Sequence, residues 1–574
     1  MGMMLPEVES LSDFVLHLEQ LKVMLPDFRP FPDRSCGTEA WVQFYETHMR
    51  LPGLFRFDRE YFGITPVDAM LADPQQRLLL HCTVQAFADA GLHEKHVSAH
   101  HPVGCYVTAG KSTYFEAFHQ QAARKFSEET RRYIGNDLSA LSARLSYLLD
   151  FRGPSVSLAS ACSSGLSALQ HAQWAIQDGQ CPIAVVGGVN VDFLQVFFAP
   201  EPGGILSADR LCRPLAAQAT GTVFSNGAVV VLLADQEFAQ QQGLQIYCTV
   251  EGVGASNDGR QKLSFTAPTI EGQVKALRKA WTAAELNAVP HGIEMHATGT
   301  RLGDPIELQA LVKARQLQFS SQDAIKVGAV KANFGHLNHA SGLLALAKCA
   351  MQFWKQRVFA TPNLLPLNPH FDFESQNVHP QTTHQDTPVA VQGLTSLGIG
   401  GSNVHVVLRE RTQHPPAHAL RAGGSQLVLV GSHKASLLDA QKKSTLRQVQ
   451  NCAASSVEVL LTTLSLFATS PHRQLIHHDP KQNVILHHWD LPPDLVLSPP
   501  AGPADLVQAA MQLRRWMDDL PVEPLAHRVF QHLDHLDLST SPFLLKGFAR
   551  ILDAGKKFSL EKESHEKDPI VQNH

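Results

Sequence analysis

One cysteine has a sequence environment that suits a nucleophile. Cys162 lies between a β-rich run at 155–158 and a segment with apolar residues at every third or fourth position. This pattern predicts a strand, a turn at Cys162 and then a helix. Unpaired N–H groups and the helix dipole favour a thiolate at such a position, so we expect the pKa of Cys162 to lie below the free value of about 8.5. On this stretch alone, a buried cysteine that packs as a small hydrophobic residue is the alternative.

Two histidines lie in similar polar turns after short β-runs. His296 belongs to E-M-H-A-T-G-T-R-L-G-D-P-I-E (294–307), and His336 to V-G-A-V-K-A-N-F-G-H-L-N-H-A-S-G (327–342). Loops at strand ends are where α/β folds assemble sites. A thiol with two imidazoles suits nucleophilic catalysis, with one ring moving a proton and a neutral ring hydrogen-bonding an oxyanion. Lys331 would add positive charge nearby. Each histidine alone is equally compatible with a structural role, but three similar turns together favour a shared site.

A glycine-rich loop supplies the fourth part of the predicted site. In S-L-G-I-G-G-S-N-V-H-V (396–406), Gly398, Gly400 and Gly401 would expose backbone N–H groups, which with the N–H of Cys162 form an oxyanion hole. Nucleotide binding is not favoured, because this loop precedes a strand, whereas a dinucleotide fingerprint follows a strand and opens a helix.

Alternating strands and helices must position these turns. Together they predict an α/β domain with buried sheets, and a second half that repeats the rhythm of the first suggests an internal duplication. The predicted strands are 102–108, 155–158, 183–189, 228–233, 246–253, 292–296, 325–330 and one within 394–408, and the main predicted helices are 75–92, 135–149, one after Cys162, 269–284, 304–314 and 340–353.

Composition and charge argue against several classes of protein. The chain has 574 residues, 44% of them hydrophobic, and a formal net charge of -5, which offers no basic footprint for nucleic acid. Nine cysteines without a C-x-x-C pair argue against a disulfide framework and favour a reducing, cytoplasmic setting. We expect no membrane span and no signal peptide. We also expect no metal site, because the 30 histidines lack ligand spacing.

Five blocks in order carry a resemblance to a known family. They are D-P-Q-Q-R-L-L-L (73–80), G-P-S-V-S-L-A-S-A-C-S-S-G-L (153–166), the His296 block (294–307), K-A-N-F-G-H (331–336) and G-I-G-G-S-N-V-H (398–405). Over about residues 1–410 the chain resembles the β-ketoacyl synthase (ketosynthase) domain of type I modular polyketide synthases. The resemblance implies a thiolase-like fold, with two duplicated halves in an αβαβα five-layer sandwich, and a homodimer.

The resemblance also implies an acyltransferase of the 3-oxoacyl-carrier-protein synthase type. Cys162 would accept an acyl group, His296 and His336 would promote decarboxylation of a malonyl-type extender and stabilise the enolate, and Lys331 would orient the second histidine. The backbone of Cys162 and Ile399 would form the oxyanion hole beside a substrate-binding loop of Gly398, Gly400 and Gly401. The resemblance implies no metal or redox cofactor. It implies an acyl carrier protein in trans, to which the phosphopantetheine arm belongs.

Several positions depart from the family pattern. Ala216, Thr220 and Asn226 stand where the family carries acidic residues, and Gly165 replaces a usual serine. Met1 lies where an apolar strand normally ends, which predicts either a wrongly placed start or the loss of a central strand. Two alternatives to condensation therefore stay open. They are a non-condensing acyl-transfer or gatekeeping ketosynthase and a decayed ketosynthase that acts as a dimer or docking partner.

The predicted domains are an N-terminal half with the cysteine (1–235) and a C-terminal half with both histidines (236–410). A small α/β linker-like region (411–490) and an extension of unknown role (491–574) follow. A strand is predicted at 427–430, with helical stretches after it, and a Pro-rich break at 491–503. Neither a G-x-S-x-G elbow nor a carrier-type D-S-L motif occurs in the chain.

Overall fold

Two mixed β-sheets and the helices packed on them make up most of residues 1–411 in the computed structural model. The structure describes residues 1–411 except 25–31, 33–35, 37, 52, 91, 93, 119–125, 196–197, 202–203, 243 and 245, and also the strands at 426–432, 472–479 and 484–490. Contacts divide the chain into one unit of residues 1–240 and 244–411 and a second unit of residues 241–243 and 412–574.

The first sheet belongs to the N-terminal half and has the strand order β1-β5-β4-β2-β3. The three strands β4, β2 and β3 run parallel, and β5 is antiparallel to both of its neighbours. Its strands are β1 (Gly2–Met4), β2 (Val103–Ala109), β3 (Ser155–Ser157), β4 (Ile183–Asn190) and β5 (Gly227–Ala234).

The second sheet has the order β10-β8-β7-β12-β13-β6. Here β10, β8, β7 and β12 run parallel, whereas β13 is antiparallel to both β12 and β6. Its strands are β6 (Cys248–Asn257), β7 (Gly292–Glu294), β8 (Ile325–Gly328), β10 (Val378–Pro380), β12 (Val391–Gly398) and β13 (Ser402–Glu410), and the short strands β9 (Arg357–Val358) and β11 (Gln385–Asp386) pair separately.

Fourteen α-helices lie in the described part of the chain. They are α1 (Leu11–Glu19), α2 (Thr38–Met49), α3 (Pro66–Leu71), α4 (Pro74–Asp89), α5 (Glu94–His100), α6 (Tyr114–Phe118), α7 (Phe126–Asn136), α8 (Leu138–Leu149), α9 (Ser164–Gln177), α10 (Gln236–Gln241), α11 (Ile270–Ala283), α12 (Gly303–Gln318), α13 (Lys331–Phe334) and α14 (Ser341–Lys355).

The two halves repeat one order of elements. The first runs β1-α4-β2-α8-β3-α9-β4-β5, and the second runs β6-α11-β7-α12-β8-α14-β12-β13. Matched strands occupy matched places in their sheets, with β1, β5, β4, β2 and β3 corresponding to β6, β13, β12, β7 and β8. The predicted duplication is thus a repeat of topology, and β10 is an addition at one edge of the second sheet.

Five layers stack in the predicted αβαβα order. Helices α4 and α8 cover the outer face of the first sheet, α9 and α14 lie between the sheets, and α11 with α12 covers the second sheet. The central helix α14 is buried from Ser341 to Phe353. Helices α9 and α14 cross at Gly165 and Gly342, where a Cβ on Gly342 would lie 2.6 Å from the Leu166 side chain. The fold class expected from the sequence is confirmed.

Three sequence expectations change in detail. The predicted helix 135–149 is two helices, because Asp137 accepts the Ser139 N–H and caps α8. The first strand is present as three residues, and it lies at the sheet edge beside β5 rather than in the centre. The loop at 398–401 joins two strands, β12 and β13, as a hairpin.

The second unit contains one described sheet. Its strands are β14 (Gln426–Ser432), β15 (His472–Asp479) and β16 (Val484–Asp490), paired antiparallel in that order. The strand expected at 427–430 is β14. The helical stretches expected after it and the Pro-rich break at 491–503 lie outside the described residues.

Candidate active site

Cys162 lies on the sharp turn between β3 and α9. Ala161 has a left-handed backbone, with φ of +53°. The hydroxyls of Ser163 and Ser164 donate to the carbonyls of Ser160 and Ala161 at 2.7 and 2.6 Å. These bonds close the turn two residues before the helix begins. The predicted strand–turn–helix arrangement places the sulfur beside a helix N-terminus, where it is partly exposed.

The hairpin between β12 and β13 closes over this turn. Ser396 donates its hydroxyl proton to the carbonyl of Cys162 at 2.7 Å, and a Cβ on Gly398 would lie 2.4 Å from the Ser160 carbonyl oxygen. Only glycine allows this approach. The backbone N–H groups of Ile399 and of Cys162 itself both favour the thiolate form of Cys162 and so act to lower its pKa. The structure thus brings together the two N–H groups predicted to form an oxyanion hole.

Gly400 and Gly401 form the tip of this hairpin. Both have left-handed backbones, with φ of +101° and +97°. The Asp258 N–H donates to the Gly401 carbonyl at 3.0 Å, and the Asp258 carboxylate accepts from the Asn403 amide at 2.8 Å. Asp258 therefore fixes the loop that presents the Ile399 N–H.

The prediction of a lowered pKa for Cys162 is wrong. Burial is the largest effect and raises the pKa above the ordinary value, while the charge of Lys331 and the two backbone N–H groups oppose it only in part. The sequence pattern indicates the helix N-terminus but not the burial of the thiol, and burial outweighs the groups that favour the thiolate. Cys162 therefore rests as a thiol.

His296 follows β7 and is fixed through its backbone. The carboxylate of Glu307, on α12, accepts the N–H groups of His296 and Ala297 at 2.7 and 2.8 Å. The ring is buried, and its Nδ1 has no hydrogen-bond partner among the described residues. The backbone at His296 is therefore held in place, and Nδ1 of its ring is a buried nitrogen without a partner among the described residues.

His336 follows α13 and is fixed through its ring. The Ser341 hydroxyl lies 2.7 Å from Nδ1, and the Asn338 backbone N–H donates to the same nitrogen at 3.2 Å. A backbone N–H can only donate, so Nδ1 carries the lone pair and the neutral ring carries its proton on Nε2. The His296 and His336 rings meet edge to face, with 5.3 Å between centroids.

Lys331 lies buried among these groups, with a side chain that is 2% exposed. The Glu307 and Glu294 carboxylates favour its charged form, whereas burial disfavours it and lowers the pKa overall. Burial, and then the charge of Lys331, holds the pKa of both His296 and His336 well below the usual range. Both imidazoles are therefore neutral at neutral pH and serve as hydrogen-bonding groups rather than as cations.

The sequence analysis did not single out the acidic residues of the site. Burial raises the pKa of Glu307 to about 7 and that of Asp304 to about 6, although backbone N–H groups and Lys331 oppose the shift in both. The available signal was the run G-D-P-I-E within the His296 block, which keeps two acids at the start of a helix. Glu294, Ser341 and Lys348 carried no such signal.

The positions that lack acids are nevertheless ordered by other contacts. Ala216 is buried and forms an isolated antiparallel β-bridge with Leu367. The Thr220 hydroxyl lies 3.1 Å from that of Ser207. The Asn226 side chain accepts the Asp192 N–H at 2.9 Å.

Within the described residues, no group of His, Cys, Asp and Glu side chains has the arrangement of a metal site. The same part of the chain holds no helix that is long and apolar enough to span a membrane.

The fold is thiolase-like, with one cysteine and two histidines in a single site, and comparison with known proteins gives the family. Residues 1–239 match the family model for the β-ketoacyl synthase N-terminal domain, and residues 247–365 match that for the C-terminal domain. The chain therefore belongs to the β-ketoacyl synthase family, as a ketosynthase domain of the polyketide synthase type.

Curated relatives and solved structures agree with this assignment. One component of the phenolphthiocerol/phthiocerol polyketide synthase of Mycobacterium tuberculosis is 32% identical over 423 residues, which cover 71% of this chain and 28% of the relative. Probable polyketide synthase 1 of Dictyostelium discoideum is 34% identical over 385 residues, covering 62% and 12%. The chain thus spans under a third of the length of these relatives.

Two solved ketosynthases share the fold. The oxazolomycin ketosynthase domain of Streptomyces albus has a TM-score of 0.69 and 27% identity, with 83% of this chain and 85% of that chain covered. Ketosynthase twelve of the bacillaene polyketide synthase of Bacillus amyloliquefaciens has a TM-score of 0.71 and 23% identity, with 90% and 86% covered.

Proposed function

We propose that this chain is a condensing ketosynthase that joins an acyl group held on Cys162 to a malonyl-type unit, with loss of carbon dioxide. The observation that carries the proposal is the pair of neutral imidazoles, His296 and His336, 5.3 Å apart in one buried site. Acyl transfer alone needs a nucleophile and an oxyanion hole, whereas two further N–H groups suit an enolate.

The first step is acyl transfer to Cys162. The sulfur attacks the carbonyl carbon of an acyl thioester, a new C–S bond forms, and the C–S bond to the departing thiol breaks. The N–H groups of Cys162 and Ile399 bind the oxyanion that develops. Because Cys162 rests as a thiol, its proton leaves as the sulfur attacks, and the departing thiolate takes it. The charge of Lys331 stabilises the transient thiolate.

The second step is decarboxylation and condensation. The malonyl C–C bond breaks, carbon dioxide leaves, and the electron pair remains as an enolate. The Nε2–H of His336 and the ring of His296 bind the enolate oxygen. The enolate carbon then attacks the acyl thioester, a C–C bond forms, and the C–S bond to Cys162 breaks. The expelled thiolate takes a proton from solvent. The product is a β-ketoacyl thioester.

A carrier protein in trans is the partner that this chemistry requires. Its phosphopantetheine arm would deliver both thioesters to the site of Cys162, His296 and His336. A homodimer is part of the proposal, since β3 is an open sheet edge with Val156 exposed and Trp174 beside it 52% exposed. The eight cysteines of the described part are free, which supports a cytoplasmic location.

Mass spectrometry of a reconstituted reaction tests the proposal. The protein is incubated with an acyl thioester and a malonyl-loaded carrier, and the acylated peptide, carbon dioxide and product are measured. We expect acylation of Cys162, release of carbon dioxide and a β-ketoacyl carrier. Cys162→Ala should abolish loading, whereas Cys36→Ala, which changes an exposed cysteine, should not.

Two other results would contradict condensation. Acylation of Cys162 without carbon dioxide release from the malonyl carrier would identify a non-condensing acyl-transfer ketosynthase. Absence of acylation in the folded protein would identify a non-catalytic docking partner.

A further inference from the structure

A fully buried ion pair lies behind the two histidines. The Lys348 ammonium, on α14, lies 2.7 Å from Oε2 of Glu294, the last residue of β7, and the two side chains are 0% and 2% exposed. Two charges removed from water are tolerated only with close compensation, and removal of one partner leaves the other uncompensated. The position of each side chain is therefore set by the other.

The second oxygen of the Glu294 carboxylate reaches the neighbouring strand end. Oε1 accepts the backbone N–H of Val330, the residue directly before Lys331. One carboxylate thus joins the end of β7, the start of α13 and the middle of α14. These three elements carry or adjoin His296, Lys331 and the Ser341 hydroxyl that contacts His336, respectively.

Lys331 depends on nearby anions because it is 2% exposed. Glu307, Glu294, Cys212 and Cys162 favour its charged form, and Asp304, His296 and His336 also lie within reach of its charge. Glu294 differs from the other carboxylates because it also bonds the backbone beside Lys331. Loss of its charge would weaken both the placement and the protonation of the lysine.

We propose that Glu294 and Lys348 are positioning residues, whose buried pair holds Lys331 as a charged side chain beside Cys162 and in register with both histidines. The proposal deepens the function proposed above, because it assigns what maintains the charge in that site. Neither residue is expected to touch the substrate; each acts through Lys331.

Alkylation of Cys162 by iodoacetamide, measured against pH, tests the proposal without any turnover. Peptide mass spectrometry reports the rate at Cys162, and exposed Cys36 is the reference in the same sample. The chains compared are the wild type, Lys331→Met, Glu294→Gln and the double variant Glu294→Gln/Lys348→Met. Glu271→Gln is the matched control, since Glu271 forms an exposed pair with Lys313 at 2.8 Å.

Because the charge of Lys331 favours the Cys162 thiolate, Lys331→Met should move the alkylation profile to higher pH. Glu294→Gln should move it in the same direction, with alkylation near neutral pH slowed about threefold to tenfold, the change that half to one pH unit produces. The double variant should shift likewise. Its two neutral side chains leave no buried charge uncompensated, so this double variant tests the proposal if Glu294→Gln alone does not fold. Glu271→Gln should match the wild type.

A purely structural pair would change thermal stability without moving this profile. The proposal is therefore overturned if folded Glu294→Gln or the double variant superimposes on the wild type, or if Lys331→Met leaves the profile unchanged. The outcome is independent of condensation: a chain that fails to decarboxylate malonyl carrier refutes the proposed function and still reports the shift at Cys162.

Discussion

The rings of His296 and His336 meet edge to face, with 5.3 Å between centroids and 84° between planes. One follows β7 and the other follows β8, and these strands are parallel neighbours, so the two turns emerge at the same edge of the sheet. His296 is fixed through its backbone by Glu307, and His336 through its ring by Ser341 and Asn338. The two histidines are thus held by different contacts, which can be removed separately by mutation.

Ser341→Ala should lower the condensation rate and spare the loading of Cys162. The hydroxyl of Ser341 lies 2.7 Å from Nδ1 of His336, and loss of one such bond costs about 1 kcal/mol, or about fivefold in rate. Acyl loading and β-ketoacyl product are measured on the same sample. His336→Ala should load Cys162 and block condensation altogether.

A buried serine elsewhere provides the control for that variant. The hydroxyl of Ser146 on α8 lies 2.9 Å from that of Ser155, so Ser146→Ala removes a comparable bond away from both histidines. An equal fall in condensation for Ser146→Ala and Ser341→Ala would contradict a role for Ser341 in holding the ring.

Gly398→Ala should impair loading itself. Its Cβ would lie 2.4 Å from the Ser160 carbonyl oxygen, so the hairpin that presents the Ile399 N–H must move away from Cys162. Loss of one oxyanion donor lowers acyl-transfer rates by about a hundredfold. The rate of thioester loading is measured at saturating substrate. Gly179→Ala, at a φ of +73° with open space around it, should leave the rate unchanged.

The strand–turn–helix at Cys162 and the two histidine turns were predictable because each depends on local pattern. Short apolar runs, small residues and a helical repeat lie next to one another in the sequence, and they fold as that pattern indicates. The boundary between α7 and α8 was less predictable. A single side chain, Asp137, separates α7 from α8 inside one continuous helical pattern.

Features that depend on burial could not be predicted from the sequence. The pKa of Cys162 is raised rather than lowered because the folded chain buries the thiol, and one element at this turn, the strand that carries Ser396, is more than 200 residues away in the sequence. Likewise, Glu294 and Lys348 lie on a strand and a helix that meet only in the folded chain. Neither residue stands out in a sequence without the fold.

Glu307→Gln should remove a pH dependence from the stability of the protein. Burial raises the pKa of Glu307 from 4.5 to about 7, so the folded state binds this proton more tightly than the unfolded state. The stability from this group is therefore complete below about pH 4.5 and is lost as pH rises through about 7, a change of about 3 kcal/mol.

Thermal unfolding of both chains between about pH 4.5 and 8 measures this effect. The melting temperature of the wild type, relative to that of Glu307→Gln, should fall across the window and then level off. The side chain of Glu271 is exposed, so Glu271→Gln should follow the wild type throughout. A constant difference between wild type and Glu307→Gln at every pH would show that Glu307 is ionised in the folded state across the whole range.

Gly165→Ser, which restores the usual residue of the family, should destabilise this chain. A Cβ at position 165 would lie 3.0 Å from the Leu343 side chain and 3.1 Å from the His339 carbonyl oxygen, at the crossing of α9 and α14. Leu343 is completely buried, so it cannot turn out into solvent to make room. Overpacking of this kind costs about 1–3 kcal/mol, which thermal unfolding would report as a lower melting temperature.

Leu343→Ala creates room at the same crossing, so the double variant Gly165→Ser/Leu343→Ala should be more stable than the sum of the two single changes predicts. Strict additivity of the two effects would mean that Leu343 does not set the size of residue 165, and that the fixed carbonyl of His339 does.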